Sequence, residues 1–234
     1  MTKYMADYFI SLIKDSEARN VGFPTGATFL DFFDEVVKKY RELPVSFRHV
    51  NSFNIDSYME LSDGHPEAIT NVMLRYLFDH IDIPRNQIYF PPHHDDDDFE
   101  SYDSFINAFG GLDIVFLGIG LNGHIAYNEP GTSKESRTHR VILKEDTIDQ
   151  ISRFFDDKKD IPKEAVTMGI KTIMGAKQIV LAANGEHKAE IVKRMLEGDI
   201  SEACPASILR EHNDVTVVLD EAAASLLERD YESS

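Results

Sequence analysis

The sequence predicts a doubly wound, mostly parallel α/β sheet in a three-layer αβα sandwich. Ile114 to Leu117 is a continuous apolar run bounded by glycines, the pattern of a strand buried on both faces of a parallel sheet. Val21 to Phe23, then Pro24-Thr-Gly-Ala-Thr28, then a stripe of Phe29, Phe32, Phe33, Val36, Val37 and Tyr40 make a strand, a small-residue turn and a helix in succession. This alternation continues without internal repeats or long linkers. It implies about seven strands in one Rossmann-like domain covering residues 1–234. A chain of 234 residues with 42% hydrophobic content can bury a core of that size.

Taken in order, residues 3 to 16 set Tyr4, Tyr8, Phe9, Leu12 and Ile13 at helical spacing, which predicts an amphipathic helix covering the sheet. The turn at 24–28 leads into a helix N-terminus, where free N–H groups and the helix dipole favour an anion. An ordinary βα turn has the same composition, so the residues alone leave both readings open. Phe47 to Asn54 is the next predicted strand. Asp56 follows just past its carboxyl end, placed either as a base or as a turn cap. Gly64-His-Pro66 should start a helix with proline at its first position, burying Ile69, Val72, Met73, Tyr76 and Leu77.

Ile88 to Phe90 is a further strand, followed by the most biased segment, Pro91 to Asp98, with His93, His94 and four aspartates. Adjacent ligands rarely converge on one ion, so this is expected to be a solvated loop and no metal is assigned to it. Arg137, Arg140 and Lys144 form a basic stretch. Ala165 to Met174 is expected to be a helix, Gln178 to Ala183 a strand, and Gly185-Glu-His-Lys188 the start of a helix running through Met195. A lysine on a first turn opposes the dipole, and a bound anion at Lys188 would remove the conflict; a merely exposed lysine is the plain alternative. Val215 to Leu219 and Glu221 to Glu228 are the last predicted strand and helix.

The loop after the central strand holds the densest chemistry. Gly118, Gly120 and Gly123 fit G-x-G-x-x-G, but His124, Asn128, Pro130 and Gly131 continue as irregular loop where a dinucleotide site needs a helix. A polar loop imidazole and a solvated carboxylate are the plain readings of His124 and Glu129. The formal net charge of −17 disfavours nucleic acid and anionic membranes as partners. A phosphorylated ligand would need cations gathered locally against that field, which draws attention to Arg153 and Lys188. Cys204 is the only cysteine, so no intrachain disulfide forms, as suits a reducing cytoplasm. Lys3, Asp7, Lys14 and Asp15 interrupt the N-terminal apolar pattern, and no apolar stretch reaches the roughly 18 residues of a membrane span. A soluble, unexported, cytoplasmic protein is expected.

LGIGLNGHIAYNEPGTS (117–133) resembles the signature of the glucosamine-6-phosphate deaminase (isomerase) family. FPTGAT (23–28), FNIDSY (53–58), HPEAI (65–69), SRFF (152–155), GEHK (185–188) and PASIL (205–209) resemble further family segments in the same order and spacing. The resemblance implies an enzyme that needs no cofactor and turns a hexosamine 6-phosphate into fructose 6-phosphate and ammonia. It assigns Asp56 to proton transfer between C2 and C1, His124 to the ring oxygen, and Glu129 to tuning that imidazole. Asn122 would hold the ring. Thr25, Gly26, Ala27, Thr28, Arg153 and Lys188 would bind the phosphate, with Arg137 a further candidate for a structural or anion contact.

The chain departs from the family at Ala27, at Phe29 in place of proline, at Ser57 in place of glutamate, and over residues 93–98. Family members also open with a strand ahead of the first helix, which implies a shorter or differently covered sheet edge here. His139 and Val141 stand where relatives activated by N-acetylglucosamine 6-phosphate carry basic residues, so no such allosteric site is expected. A galactosamine-6-phosphate enzyme, a 6-phosphogluconolactonase and a non-catalytic sugar-phosphate binder remain as alternatives, and homo-oligomerisation is left open.

Overall fold

The computed structural model describes residues 1–15, 17–95, 97–229 and 231. The first half of the chain runs α1 (Thr2–Lys14), β1 (Asn20–Phe23), α2 (Ala27–Glu42), β2 (Asn51–Asn54), β3 (Asp56–Tyr58), α3 (Ile69–Tyr76), β4 (Ile88–Tyr89), α4 (Ser101–Ala108) and β5 (Ile114–Gly118). The second half runs β6 (His139–Ile142), α5 (Glu145–Ser152), β7 (Glu164–Thr167), α6 (Ile170–Met174), β8 (Gln178–Ala183), α7 (Ala189–Glu197) and β9 (Val215–Leu219). Six strands form one parallel sheet in the order β4-β2-β1-β5-β8-β9. From β1 the chain winds outward through β2 to β4, then returns to β5 on the other side, so the sheet is doubly wound. Its topological switch point lies between β1 and β5, where loops diverge and leave a crevice.

Two apolar clusters fill the two faces of this sheet. Alternate residues of β5 divide between them: Ile114 and Phe116 join the cluster under α1, α2 and α3, while Val115 and Leu117 join the one under α4, α6 and α7. That period of two is why the strand reads as an unbroken apolar run. The first cluster is aromatic, with Phe116 stacked on Phe23 at 6.1 Å between ring centroids and edge-on to Phe9 at 5.3 Å.

The architecture is the expected one, with a second sheet added. β3, β7 and β6 form a three-stranded antiparallel sheet, Asp56 pairing with Thr167 and His139 also pairing with Thr167. The described residues therefore hold nine strands, and the expected helix over 165–174 is corrected. Glu164–Thr167 is a strand with Ala165, Val166 and Thr167 buried, and only Ile170–Met174 is helical. Gly169 separates them. A Cβ there would meet the Arg137 and Ser136 carbonyl oxygens at 2.2 Å, so the chain must turn at that point.

Other boundaries shift as well. Only Asn51–Asn54 of the segment from Phe47 is strand. The helix expected to open at Pro66 begins at Ile69 and ends at Tyr76. Glu221 to Leu226 make successive turns and Leu227 and Glu228 are irregular, in place of the expected helix, and Ser16 lies outside the described residues. Among the described residues no helix is long and apolar enough to cross a membrane.

Candidate active site

The conserved chemistry of a parallel sheet's carboxyl edge comes from loops that the strands hold a few ångströms apart. At the end of β2, the Ile55 N–H donates to the Phe23 carbonyl of β1 at 3.1 Å, and the Ile55 carbonyl accepts from Met168 at 2.7 Å. Asp56 is thereby fixed at the seam between the two sheets. Its side chain is buried, and among the described residues its Oδ1 has no hydrogen-bond partner. Burial pushes its carboxyl up to about 7, with the Thr167 hydroxyl and the Tyr127 N–H pulling weakly the other way. An orphaned buried carboxylate oxygen is costly, and a carboxyl raised toward neutrality is a group able to take a proton.

The imidazole of His124 comes from the loop after β5. Gly120 brings it close: a Cβ on Gly120 would lie 2.2 Å from His124 Cε1, so only glycine lets the ring pack on the backbone. Asn122 accepts at Oδ1 from the His124 main-chain N–H at 3.1 Å and faces Nδ1 at 2.9 Å. Its Nδ2 donates to Glu129 Oε2 at 2.8 Å, which fixes the amide's orientation. An amide oxygen can only accept, so Nδ1 carries the ring proton and Nε2 keeps the lone pair. Glu129 lies 3.7 Å from Nδ1 and acts on the ring mainly through Asn122.

Burial pushes the imidazole down to about 4, with Glu129 opposing and Lys188 assisting. Neutral at neutral pH, the ring is a base at Nε2. Tyr127 ties this loop to Asp56. Its N–H donates to Thr167 Oγ1 at 2.9 Å, and Thr167 is the β-pairing partner of Asp56.

The residues expected to meet a phosphate come from three places: the turn into α2, the C-cap of α5 and the N-cap of α7. Gly26, at φ 120°, caps α2 in a conformation that other residues avoid, and Ala27 is exposed on the first turn. Thr28 donates to Asn184 Oδ1 at 2.9 Å, joining this turn to the loop after β8. Thr25 and Gly26 line a cavity of about 80 Å³ together with Tyr58, Tyr127 and Phe155. Lys188, the N-cap of α7, donates to the Ile119 carbonyl at 2.7 Å. Burial and the nearby Arg153 hold it down to about 8. Arg153 caps the other end of α5, its guanidinium 5.0 Å from the Phe154 ring. The Arg153 guanidinium is close enough to disfavour the charge on Lys188, a conflict that a doubly charged anion would relieve.

The departures have local explanations. Phe29 is 1% exposed and packs edge-on to Phe32, so it supplies core in place of a rigid proline turn. Ser57 is buried opposite Val166. Arg137 is exposed, and its carbonyl makes the close contact at Gly169. His139 and Val141 lie on β6, where His139 pairs with Thr167 and Val141 with Ala165. In the acidic loop, His93 reaches Asp63 at 3.2 Å and Asp95 pairs with Arg140 at 2.8 Å, while Asp96 lies outside the described residues.

Four partners of the site escaped the sequence reading: Thr147, Thr167, and the phenol pair of Tyr58 and Tyr127, whose hydroxyls are 2.8 Å apart. Their sequence surroundings carry no signal of these contacts, which exist only in the folded chain.

A family profile for glucosamine-6-phosphate isomerases/6-phosphogluconolactonase matches residues 1–218. The glucosamine-6-phosphate deaminase of Clostridium acetobutylicum is 42% identical over 230 residues, covering 97% of this chain and 95% of the relative. That of Geobacillus sp. (strain WCH70) is 40% identical over 230 residues, covering 97% and 92%. Among solved structures, a monomeric glucosamine-6-phosphate deaminase superposes with a TM-score of 0.92 at 39% identity, covering 97% of this chain and 95% of that one. A 6-phosphogluconolactonase from Trypanosoma cruzi gives 0.73 at 19% identity over 97% and 93%, a likeness of fold alone. With the profile matched across nearly its whole length, the chain belongs to the glucosamine-6-phosphate isomerase/6-phosphogluconolactonase family.

Proposed function

We propose that the protein is a glucosamine-6-phosphate deaminase, converting glucosamine 6-phosphate and water to fructose 6-phosphate and ammonia. The observation that carries this reading is Asp56: a buried carboxyl with one oxygen unpartnered, on the same rim as a neutral imidazole and an anion cradle. Ester hydrolysis needs no base beside a C–H bond, whereas moving a proton between adjacent carbons needs one carboxylate in reach of both.

The phosphate rests on the first turn of α2 and on Lys188 and Arg153. His124 exchanges a proton with the ring oxygen through Nε2 as the ring opens, and Asn122 and Glu129 keep that nitrogen free. Asp56 then takes the proton from C2, leaving an enolamine, and returns it to C1. The C2–nitrogen bond becomes an iminium; water adds to that carbon and ammonia leaves, which balances the reaction. The relatives' names and the high identity over nearly full length support glucosamine over the galactosamine epimer. Cys204, buried against Gly123, supports a reducing, cytoplasmic setting.

Purified protein assayed for ammonia release should act on glucosamine 6-phosphate in preference to galactosamine 6-phosphate, and should not hydrolyse 6-phosphogluconolactone. Asp56→Asn should lower kcat by at least about 10³-fold while still binding fructose 6-phosphate. Lactone hydrolysis without ammonia release would overturn the reading.

A further inference from the structure

Besides Asn122, the carboxylate of Glu129 has a second set of partners, and these belong to α5. Thr147, 1% exposed, donates from its hydroxyl to Glu129 Oε1 at 2.6 Å. The Lys144 main-chain N–H donates to the same oxygen at 3.1 Å. Lys144 is the N-cap of α5 and makes no side-chain capping bond. Glu129 thus does from another segment what an N-cap carboxylate does: it accepts an orphan amide and faces the positive end of the helix.

The Thr147 oxygen also lies 3.3 Å from His124 Nδ1. Its proton goes to Glu129, so toward the imidazole it can only accept. One hydroxyl therefore bridges the carboxylate and the ring it tunes. At the other end of α5 stands Arg153, so a rod of eight residues, roughly 12 Å long, joins the proton-transfer groups to the guanidinium of the anion cradle.

We propose that Thr147 is a positioning residue whose hydroxyl both fixes Glu129 against His124 and, through α5, sets the placement of Arg153. The inference rests on the deaminase reading and deepens it, since it makes one buried hydroxyl serve both halves of the site. A valine would keep the shape and lose the bonds, and a serine would keep the bonds and lose the methyl.

The test compares the parent protein with Thr147→Val and Thr147→Ser, measuring kcat for ammonia release and, separately, fructose 6-phosphate affinity by calorimetry. The valine variant should lose about tenfold in kcat and also bind the sugar phosphate several-fold more weakly. The serine variant should stay within about twofold of the parent on both counts. Equal loss in both variants would assign the effect to packing and overturn the proposal. So would a valine variant with unchanged affinity, which would sever Thr147 from Arg153. The binding arm does not depend on turnover: a parent that releases no ammonia would sink the deaminase reading, while weaker binding by valine with rescue by serine would still uphold the positioning role.

Discussion

At the scale of single residues, Asp56 and His124 pull stability in opposite directions. Asp56 titrates near 7 in the folded chain against an ordinary 3.8, so its ionisation penalises the folded state. That contribution lowers stability as pH rises from about 4 to about 7, and is constant above. His124 titrates near 4 against an ordinary 6.5. Its contribution is complete above about 6.5 and is lost as pH falls toward 4, because the unfolded chain takes up the proton first. At ~1.4 kcal/mol per pH unit Asp56 is worth about 4 to 5 kcal/mol and His124 about 3 to 4 kcal/mol, and between pH 4 and 6.5 they nearly cancel. Asp56→Asn should therefore be more stable than the parent at about pH 8, by a few kcal/mol, while losing activity. Its stability should fall more steeply than the parent's between pH 6.5 and 4, because the imidazole then acts unopposed. Urea denaturation across that range measures both effects. An Asn variant no more stable than the parent at pH 8 would mean that the Asp56 carboxylate is solvated in the folded state.

Among elements, Lys188 stands at the N-cap of α7 with its ammonium held down to about 8 by burial and by Arg153. A phosphate dianion would stabilise the charged ammonium and raise its titration. Fructose 6-phosphate binding at about pH 8.5 should then take up a substantial fraction of a proton, read by calorimetry in two buffers of different ionisation enthalpy. Lys188→Met should abolish that uptake and weaken binding at least about tenfold. Uptake that survives in the variant would place the titrating group elsewhere.

The same lysine shows what the sequence could convey. A cation on a first turn contradicts a local rule, which makes Lys188 legible as a candidate for holding an anion. The elements of the parallel sheet were legible where an apolar period ran uninterrupted, as in β1, β5, β8 and α2. β7 was not, because Ala165, Val166, Ile170 and Ile173 continue one apolar series across a change from strand to helix, and only the crowding at Gly169 breaks it. β6 was hidden for another reason: its residues alternate between half-buried and exposed, and its pairing with β7 is made in tertiary structure. Likewise Thr147 is an unremarkable helix residue until Glu129 folds against it.

Across the whole molecule, β5 is where catalytic loop, aromatic cluster and both faces of the sheet meet. Phe116 is fully buried with Phe32 at 5.1 Å and Phe9 at 5.3 Å, two residues before the glycine that ends the strand. Truncating it to alanine removes a ring from a packed set of rings on one face, while Val115 and Leu117 still hold the other. The loss should be about 3–5 kcal/mol, a large share of the 5–15 kcal/mol that keeps a typical domain folded. Because Asp56 is hydrogen-bonded into the end of β1 through Ile55, and His124 hangs from β5, the site cannot persist once that sheet opens. The chain has no tryptophan, so tyrosine fluorescence, in which the buried Tyr58 and Tyr127 pair reports on the site, is the natural structural probe. In Phe116→Ala, ammonia release and tyrosine fluorescence should be lost in one urea transition, displaced to lower denaturant and parallel to the parent's. Activity that disappears well before the fluorescence changes would show that the small antiparallel sheet bearing Asp56 opens on its own, and that the site is coupled to the core only through its loops.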